Sequence, residues 1–199
     1  MILNRLSIVN YKNIAQAEVA FSEKINCFFG NNGMGKTNIL DSIYYLSFCK
    51  SHIHTPDTQL IRFGEDMCVL QGFYDFEGKT EELFCAIRNK QRKQFKRNKK
   101  EYDKLSDHIG LLPLVMISPA DTDLIQGGSE DRRRFLDLII SQQDKKYLYS
   151  LIQYNKALTQ RNALLKEQNL DASLFEALDL QATLQSKYTG GTVLHLYMS

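Results

Sequence analysis

The residues that most constrain this chain are Gly30-Asn31-Asn32-Gly33-Met34-Gly35-Lys36-Thr37, which match the spacing GxxxxGK[ST]. The spacing has a mechanical reading. Glycines let the backbone curl until successive N–H groups point inward at phosphates, and a following helix adds the partial positive charge of its N-terminus. Gly30, Gly33 and Gly35 supply that freedom, Lys36 reaches the β- and γ-phosphates, and the Thr37 hydroxyl holds Mg²⁺. Asn31, Asn32 and Met34 complete the loop, and Asn38 follows in the first helical turn. A glycine-rich turn capping an ordinary helix would account for Gly30 and Gly33 but gives no reason for Lys36 and Thr37 beside them. The ligands expected are ATP and Mg²⁺.

The surroundings suit such a loop. Ile25-Asn26-Cys27-Phe28-Phe29 is short and mostly apolar and reads as a strand that stops at Gly30, and a helical pattern runs from Gly35 to about Phe48. Upstream, Ile2, Leu3, Leu6 and Ile8, then Val19 and Phe21, suggest two neighbouring strands joined by a turn. Downstream, Met67–Phe76 and Glu81–Ile87 suggest a hairpin, and Leu111–Ile117 reads as a buried strand ended by Ser118-Pro119. From Ser129 apolar residues recur at helical spacing, through Phe135, Leu136, Ile139, Ile140, Tyr147, Leu151, Leu158 and Leu165. The expected fold is α/β: a P-loop lobe over 1–128 with antiparallel strands at its N-terminal side, a helical second lobe beginning over 129–181, and an unassigned tail, 182–199.

With 199 residues and 43% hydrophobic content the chain can bury a sizeable core, and a net charge of +2 leaves any basic surface to be local. One such place stands out. Lys90, Arg92, Lys93, Lys96, Arg97, Lys99 and Lys100 crowd around Phe95, a composition suited to a phosphate backbone; a solvated hairpin tip is the alternative. Cys27, Cys49, Cys68 and Cys85 form no CxxC pair, and His52, His54, His108 and His195 have no metal-ligand spacing, so buried reduced thiols are expected and no zinc site. No signal-peptide core and no apolar run of about 18 residues appears, so a cytoplasmic protein with no membrane partner is expected.

Beyond the loop, several separated blocks together resemble the RecF family, bacterial recombination and replication-repair ATPases related to chromosome-maintenance (SMC) and ABC-type ATPases. They are Leu6–Asn13, the stretch GNNGMGKTNILDSIYYLSFCKSH from Gly30, Leu60-Ile61-Arg62-Phe63-Gly64, Pro119–Leu124, Asp131–Asp137 and Tyr154–Asn162, spanning about residues 1–181. The resemblance implies an ATP-dependent homodimer of heads, binding to single-stranded or gapped DNA, recombination mediator proteins as partners and a role in the SOS response. It also implies that the Asn10–Asn13 turn brings Lys12 toward the nucleotide; a solvated surface lysine is the other reading. Family members run to nearly twice this length, and their second half carries the ABC signature and the Walker B acid pair. Neither is found here, so weak ATPase activity is expected of a complete member and binding alone of these residues. Ile125–Ser129 only superficially looks like a signature and reads as a loop.

The pattern also departs from the family. Ile53 stands where an arginine is common, Ser118-Pro119 stands where related ATPases carry a glutamine, and the tail after Ala182 does not resemble the family's continuation, as in a truncated or interrupted product. Asp121 and Asp123 read either as Mg²⁺ or water ligands or as helix-start residues, and Arg132, Arg133 and Arg134 as lobe-packing or as catalytic cations. Two other functional classes fit the loop. One is a small-molecule P-loop kinase, against which the hairpin ahead of Gly30 argues; the other is a DNA-assembly module that binds ATP without hydrolysing it.

Overall fold

Leu6 and Ile8 alternate with more exposed neighbours, as do Cys68, Leu70 and Tyr74, which is the signature of strands that turn one face into a core. The computed structural model describes residues 1–53, 55–119, 128–166, 176–183 and 186. They fall into two units, Met1–Met116 and Ile117–Ser199.

The first unit is built on a six-stranded antiparallel sheet. Its strands are β1 (Ile2–Tyr11), β2 (Ile14–Ala20), β3 (Met67–Phe76), β4 (Lys79–Arg88), β5 (Gln94–Arg97) and β6 (Lys100–Glu101), in the order β2-β1-β3-β4-β5-β6. The two expected hairpins are therefore present, and β1 joins them by pairing with both β2 and β3. One helix, α1 (Lys36–Phe48), packs on the sheet, and Tyr45 and Leu46 enter the same core as Leu6, Ile8, Leu70, Leu83, Cys85 and Phe95. Gly72 permits the close approach: a Cβ there would lie 2.6 Å from the Tyr74 ring and 3.0 Å from Leu46 Cδ1. His108 is fully buried, with Nε2 2.6 Å from the Leu46 carbonyl and Nδ1 3.1 Å from the Tyr102 hydroxyl. Cys49, Cys68 and Cys85 are buried free thiols and Cys27 is exposed.

Two expected strands are not formed. Ile25–Phe29 and Leu111–Ile117 carry no ladder pairing, and Ile25 (81%), Phe29 (94%) and Val115 (62%) are exposed. An apolar run becomes a strand only where another strand can take its N–H and C=O groups. The sheet of the described residues ends at β2 and β6, and neither segment joins it. Leu112 is held firmly: it is buried, and its carbonyl accepts from Ser47 Oγ at 2.6 Å.

The described residues of the second unit from Ser129 onward are helical apart from Asp144. α2 (Ser129–Gln143) leads through Asp144 into α3 (Lys145–Lys166). Asp144 Oδ1 accepts from the amides of Lys146 and Tyr147 at 2.8 and 3.1 Å, so it caps the start of α3. The Tyr147 hydroxyl donates back to Asp137 on α2. Residues 176–183 are also helical and pack Leu178 and Ala182 on Ala157, while Arg161 pairs with Asp179 at 2.6 Å. His54, Asp121, Asp123, Ile125–Gly127 and the tail beyond Ser186 lie outside the described residues.

Candidate functional site

The glycine loop owes its shape to torsions only glycine adopts without strain. Gly30, Gly33 and Gly35 have φ of 137°, 81° and 94°. At Gly30 and Gly33 a Cβ would meet nothing within 4 Å, so torsion and not space demands glycine there. Gly35 is constrained twice, because its Cβ would also sit 3.0 Å from Asn13 Oδ1 and 3.2 Å from Ile14 Cγ1. Gly35 is the N-cap of α1; no side chain caps this end and its first turn holds no acid, so the amides there face outward for an anion. Lys36 Nζ lies across the loop, donating to the carbonyls of Gly30 at 2.9 Å and Asn31 at 2.8 Å. Asn31, Asn32, Met34 and Thr37 are exposed.

Mg²⁺ ordinarily keeps several waters and takes only one or two protein ligands besides phosphate oxygens. An exposed Thr37 next to Lys36 fits that demand. Among the described residues no cluster of three His, Cys, Asp or Glu could hold a metal by itself.

The β1–β2 turn is bound to the loop. Asn13 Nδ2 donates to the Gly33 carbonyl at 2.6 Å, and Asn13 Oδ1 accepts from Asn38 Nδ2 at 2.7 Å. Beside it Lys12, at φ 52°, turns its ammonium to Asp41 Oδ2 at 2.6 Å with 13% of its side chain exposed. Lys12 is thus not a solvated surface lysine. Asp41 is the centre of a buried knot: its carboxylate, 2% exposed, also accepts from Tyr11 OH at 2.6 Å, Ser51 Oγ at 2.9 Å and the His52 amide at 2.8 Å. Burial pushes the pKa of Asp41 up, but hydrogen bonds from Lys12, Tyr11 and the His52 amide outweigh it and hold the carboxyl below its ordinary value. Burial, reinforced by Asp41, raises the Tyr11 hydroxyl well above the usual phenol range. Neither Asn13 nor Asp41 is among the residues expected at the site from sequence. A signal for both existed, since Asn13 closes the quoted Asn10–Asn13 turn and Asp41 follows Thr37 by one helical turn.

The basic run divides in two. Lys93 Nζ is turned inward to Asp57 Oδ2 at 2.9 Å, Tyr45 OH at 3.0 Å and the Cys49 carbonyl at 2.5 Å. Arg97 pairs with Glu81, and Lys96 lies over the Phe84 ring at 5.7 Å. Lys90, Arg92, Lys99 and Lys100 are exposed, with Arg92 reaching the Asp103 carbonyl at 3.1 Å. Lys99 and Asn98, at φ 69° and 50°, form the tip between β5 and β6. In the second unit Arg134 pairs with Glu130 and Asp131, while Arg132 and Arg133 are exposed. No helix of the described residues is long and apolar enough to cross a membrane.

With this geometry in place, the chain can be set beside known proteins. The model of the AAA ATPase domain family (AAA_15) matches residues 1–189. The DNA replication and repair protein RecF of Parabacteroides distasonis is 74% identical over 181 residues, 91% of this chain and 50% of that protein. RecF of Phocaeicola vulgatus is 63% identical over 176 residues, 87% of this chain and 47% of the relative. This chain therefore spans about half the length of these relatives. Among solved structures, the recombination mediator protein RecF-ATP of the RecFOR pathway superposes with a TM-score of 0.87 at 28% identity, over 99% of this chain and 54% of that one. An SMC ATPase, at a TM-score of 0.58 and 16% identity over 70% of this chain and 99% of that one, shares the fold. The chain belongs to the AAA ATPase domain family, and over most of its length it is similar to about half of each RecF relative.

Proposed function

We propose that this chain is the ATP-binding part of a RecF-like replication and recombinational repair ATPase. The observation that carries the reading is the Gly30–Thr37 loop: three glycines at positive φ, an uncapped helix start, and Lys36 arched over the loop's own carbonyls. In that arrangement the loop amides and Lys36 bind the triphosphate, and Thr37 contributes a hydroxyl to Mg²⁺. Mg²⁺ held there would supply positive charge to offset that of the phosphates. Lys36 needs only to exchange two carbonyls for phosphate oxygens, a stronger charge-assisted bond.

Binding is assigned to these residues and hydrolysis is not. Asp41 is the acid bonded closest to the loop's supporting turn, and all its lone pairs in use already serve Tyr11, Lys12, Ser51 and the His52 amide. It is poorly placed to orient an attacking water. A protein of the relatives' full length would supply the missing acids, pair two heads across their nucleotides, and so couple ATP to binding of single-stranded or gapped DNA. It would act in the cytoplasm with recombination mediator partners and support the SOS response. The exposed cations Lys90, Arg92, Lys99 and Lys100 are the part of the basic run suited to DNA phosphates.

The test is direct titration of Mg-ATP into the chain and its Lys36→Met variant by calorimetry. Removing one partner of a charge-assisted contact costs about 2–5 kcal/mol, so affinity should fall at least about thirtyfold. Equal affinity in the two proteins would remove the assignment.

A further inference from the structure

Few bonds hold the glycine loop in shape. Its stem, Ile25–Phe29, pairs with no strand among the described residues, so no sheet ladder anchors the loop from that side. On the other side α1 begins only at Lys36. Between them, Gly30–Met34 take part in three hydrogen bonds among the described residues: Lys36 Nζ donates to the carbonyls of Gly30 and Asn31 at 2.9 and 2.8 Å, and Asn13 Nδ2 donates to the carbonyl of Gly33 at 2.6 Å. The first two arise within the loop and are the ones Lys36 gives up when it turns to phosphate. The third comes from the turn between β1 and β2, and phosphate binding does not require it to break.

The amide of Asn13 suits the task. A carbonyl only accepts, so the group facing Gly33 is the amide nitrogen, and the amide oxygen accepts from Asn38 Nδ2, in the first turn of α1, at 2.7 Å. One side chain thus bridges the middle of the loop and the start of the helix. Gly35 leaves room for it, since a Cβ there would lie 3.0 Å from Asn13 Oδ1. The bridge is rooted in the sheet: Tyr11 pairs with Ile14 across the turn, and the Lys12 amide donates to the Leu60 carbonyl at 2.7 Å. The Gly33 carbonyl and the Met34 N–H belong to one planar trans peptide and point in opposite directions. Holding that carbonyl toward Asn13 therefore fixes the Met34 N–H, one of the loop's donors, on the side away from Asn13.

We infer that Asn13 is a positioning residue for the nucleotide: it holds the Gly33–Met34 peptide so that a loop N–H stays aimed at phosphate after Lys36 has left the loop carbonyls. The inference rests on the reading of Gly30–Thr37 as a phosphate loop. It makes the loop's competence a property of the β1–β2 turn as well as of the motif itself.

The experiment combines calorimetric titration of Mg-ATP, urea denaturation and amide hydrogen exchange in the chain and its Asn13→Ala and Asn13→Asp variants. Asn13→Ala should weaken Mg-ATP about fivefold, the scale of one net hydrogen bond, at an unchanged urea midpoint. Asn13→Asp keeps the size and the acceptor for Asn38 but offers Gly33 no donor, so it should bind Mg-ATP no better than Asn13→Ala. With Mg-ATP saturating, exchange in Asn13→Ala should quicken at Met34 and its loop neighbours and stay as in the original in β1, β3 and the body of α1. A residue that only stabilises the fold would instead lower the urea midpoint and quicken exchange in those elements. Equal affinity in Asn13→Ala and the original, an aspartate variant as tight as the original, or a fall in affinity matched by a fall in urea midpoint would each overturn the role of Asn13 and leave the phosphate loop standing. An original chain that does not bind Mg-ATP removes both readings.

Discussion

The glycine loop and the Asp41 knot are joined through adjacent residues, Lys12 and Asn13, yet they are built in opposite ways. In the loop, charge is exposed and provisionally partnered: Lys36 is held by two carbonyls that could be released to solvent. In the knot, charge is buried and fully partnered: Asp41 takes four donors and ties together β1, α1 and the segment at Ser51-His52. The difference separates a surface prepared for an incoming anion from the framework that holds it. A buried carboxylate with all donors in place fixes geometry, because moving any one of them exposes an unpaired charge to a poor solvent.

The sharpest way to break this contrast is to remove the framework charge. Asp41→Ala leaves the Lys12 ammonium and Tyr11 hydroxyl without their acceptor, and breaking such a buried pair costs about 3–5 kcal/mol. Urea denaturation should show a loss of that size, whereas Lys36→Met should stay within about 0.5 kcal/mol, as for surface substitutions. Equal losses would mean that loop and knot are one structural unit. A smaller effect follows from the carboxyl's lowered pKa. A group whose folded pKa is depressed contributes stability that is fully present above its unfolded pKa, about 3.9, and is lost as pH falls through the folded value. Stability should therefore fall more steeply below about pH 4 in the original chain than in Asp41→Asn, and parallel curves would show that the knot does not depend on the ionised acid.

The loop was legible in the sequence because its determinants are local: three torsions, one lysine and one hydroxyl within eight residues. The knot was not, since Tyr11, Asp41 and Ser51 come together only when β1 and α1 pack. The hairpins β1–β2 and β3–β4 were legible from period-two burial and their turns. Ile25–Phe29 and Leu111–Ile117 were misread for the complementary reason. Apolar composition reports that a segment suits a sheet, but it carries no information on whether a neighbouring strand is there to pair with it. Phe63 shows the same limit, as its identity suggests a core and its turn delivers it to solvent.

The basic run repeats the contrast on a smaller scale and allows the finest test of it. Along the chain entering β5, period two places Lys93, Phe95 and Arg97 on one side: Phe95 is buried, Lys93 turns inward to Asp57, and Arg97 pairs with Glu81 nearer the surface. Lys99 and Lys100 stand at the tip, exposed, and have no ion pair among the described residues. Lys93→Ala should therefore lower stability by about 1–3 kcal/mol, the scale of a hydrogen bond to a charged group. Lys99→Ala and Lys100→Ala should leave stability unchanged and each reduce the salt dependence of DNA binding by about one unit of log–log slope. Measured in a protein of the relatives' full length, an unchanged salt slope would show that the hairpin tip is solvated surface. A slope altered by Lys93→Ala at constant stability would show that the inward lysine, too, reaches DNA.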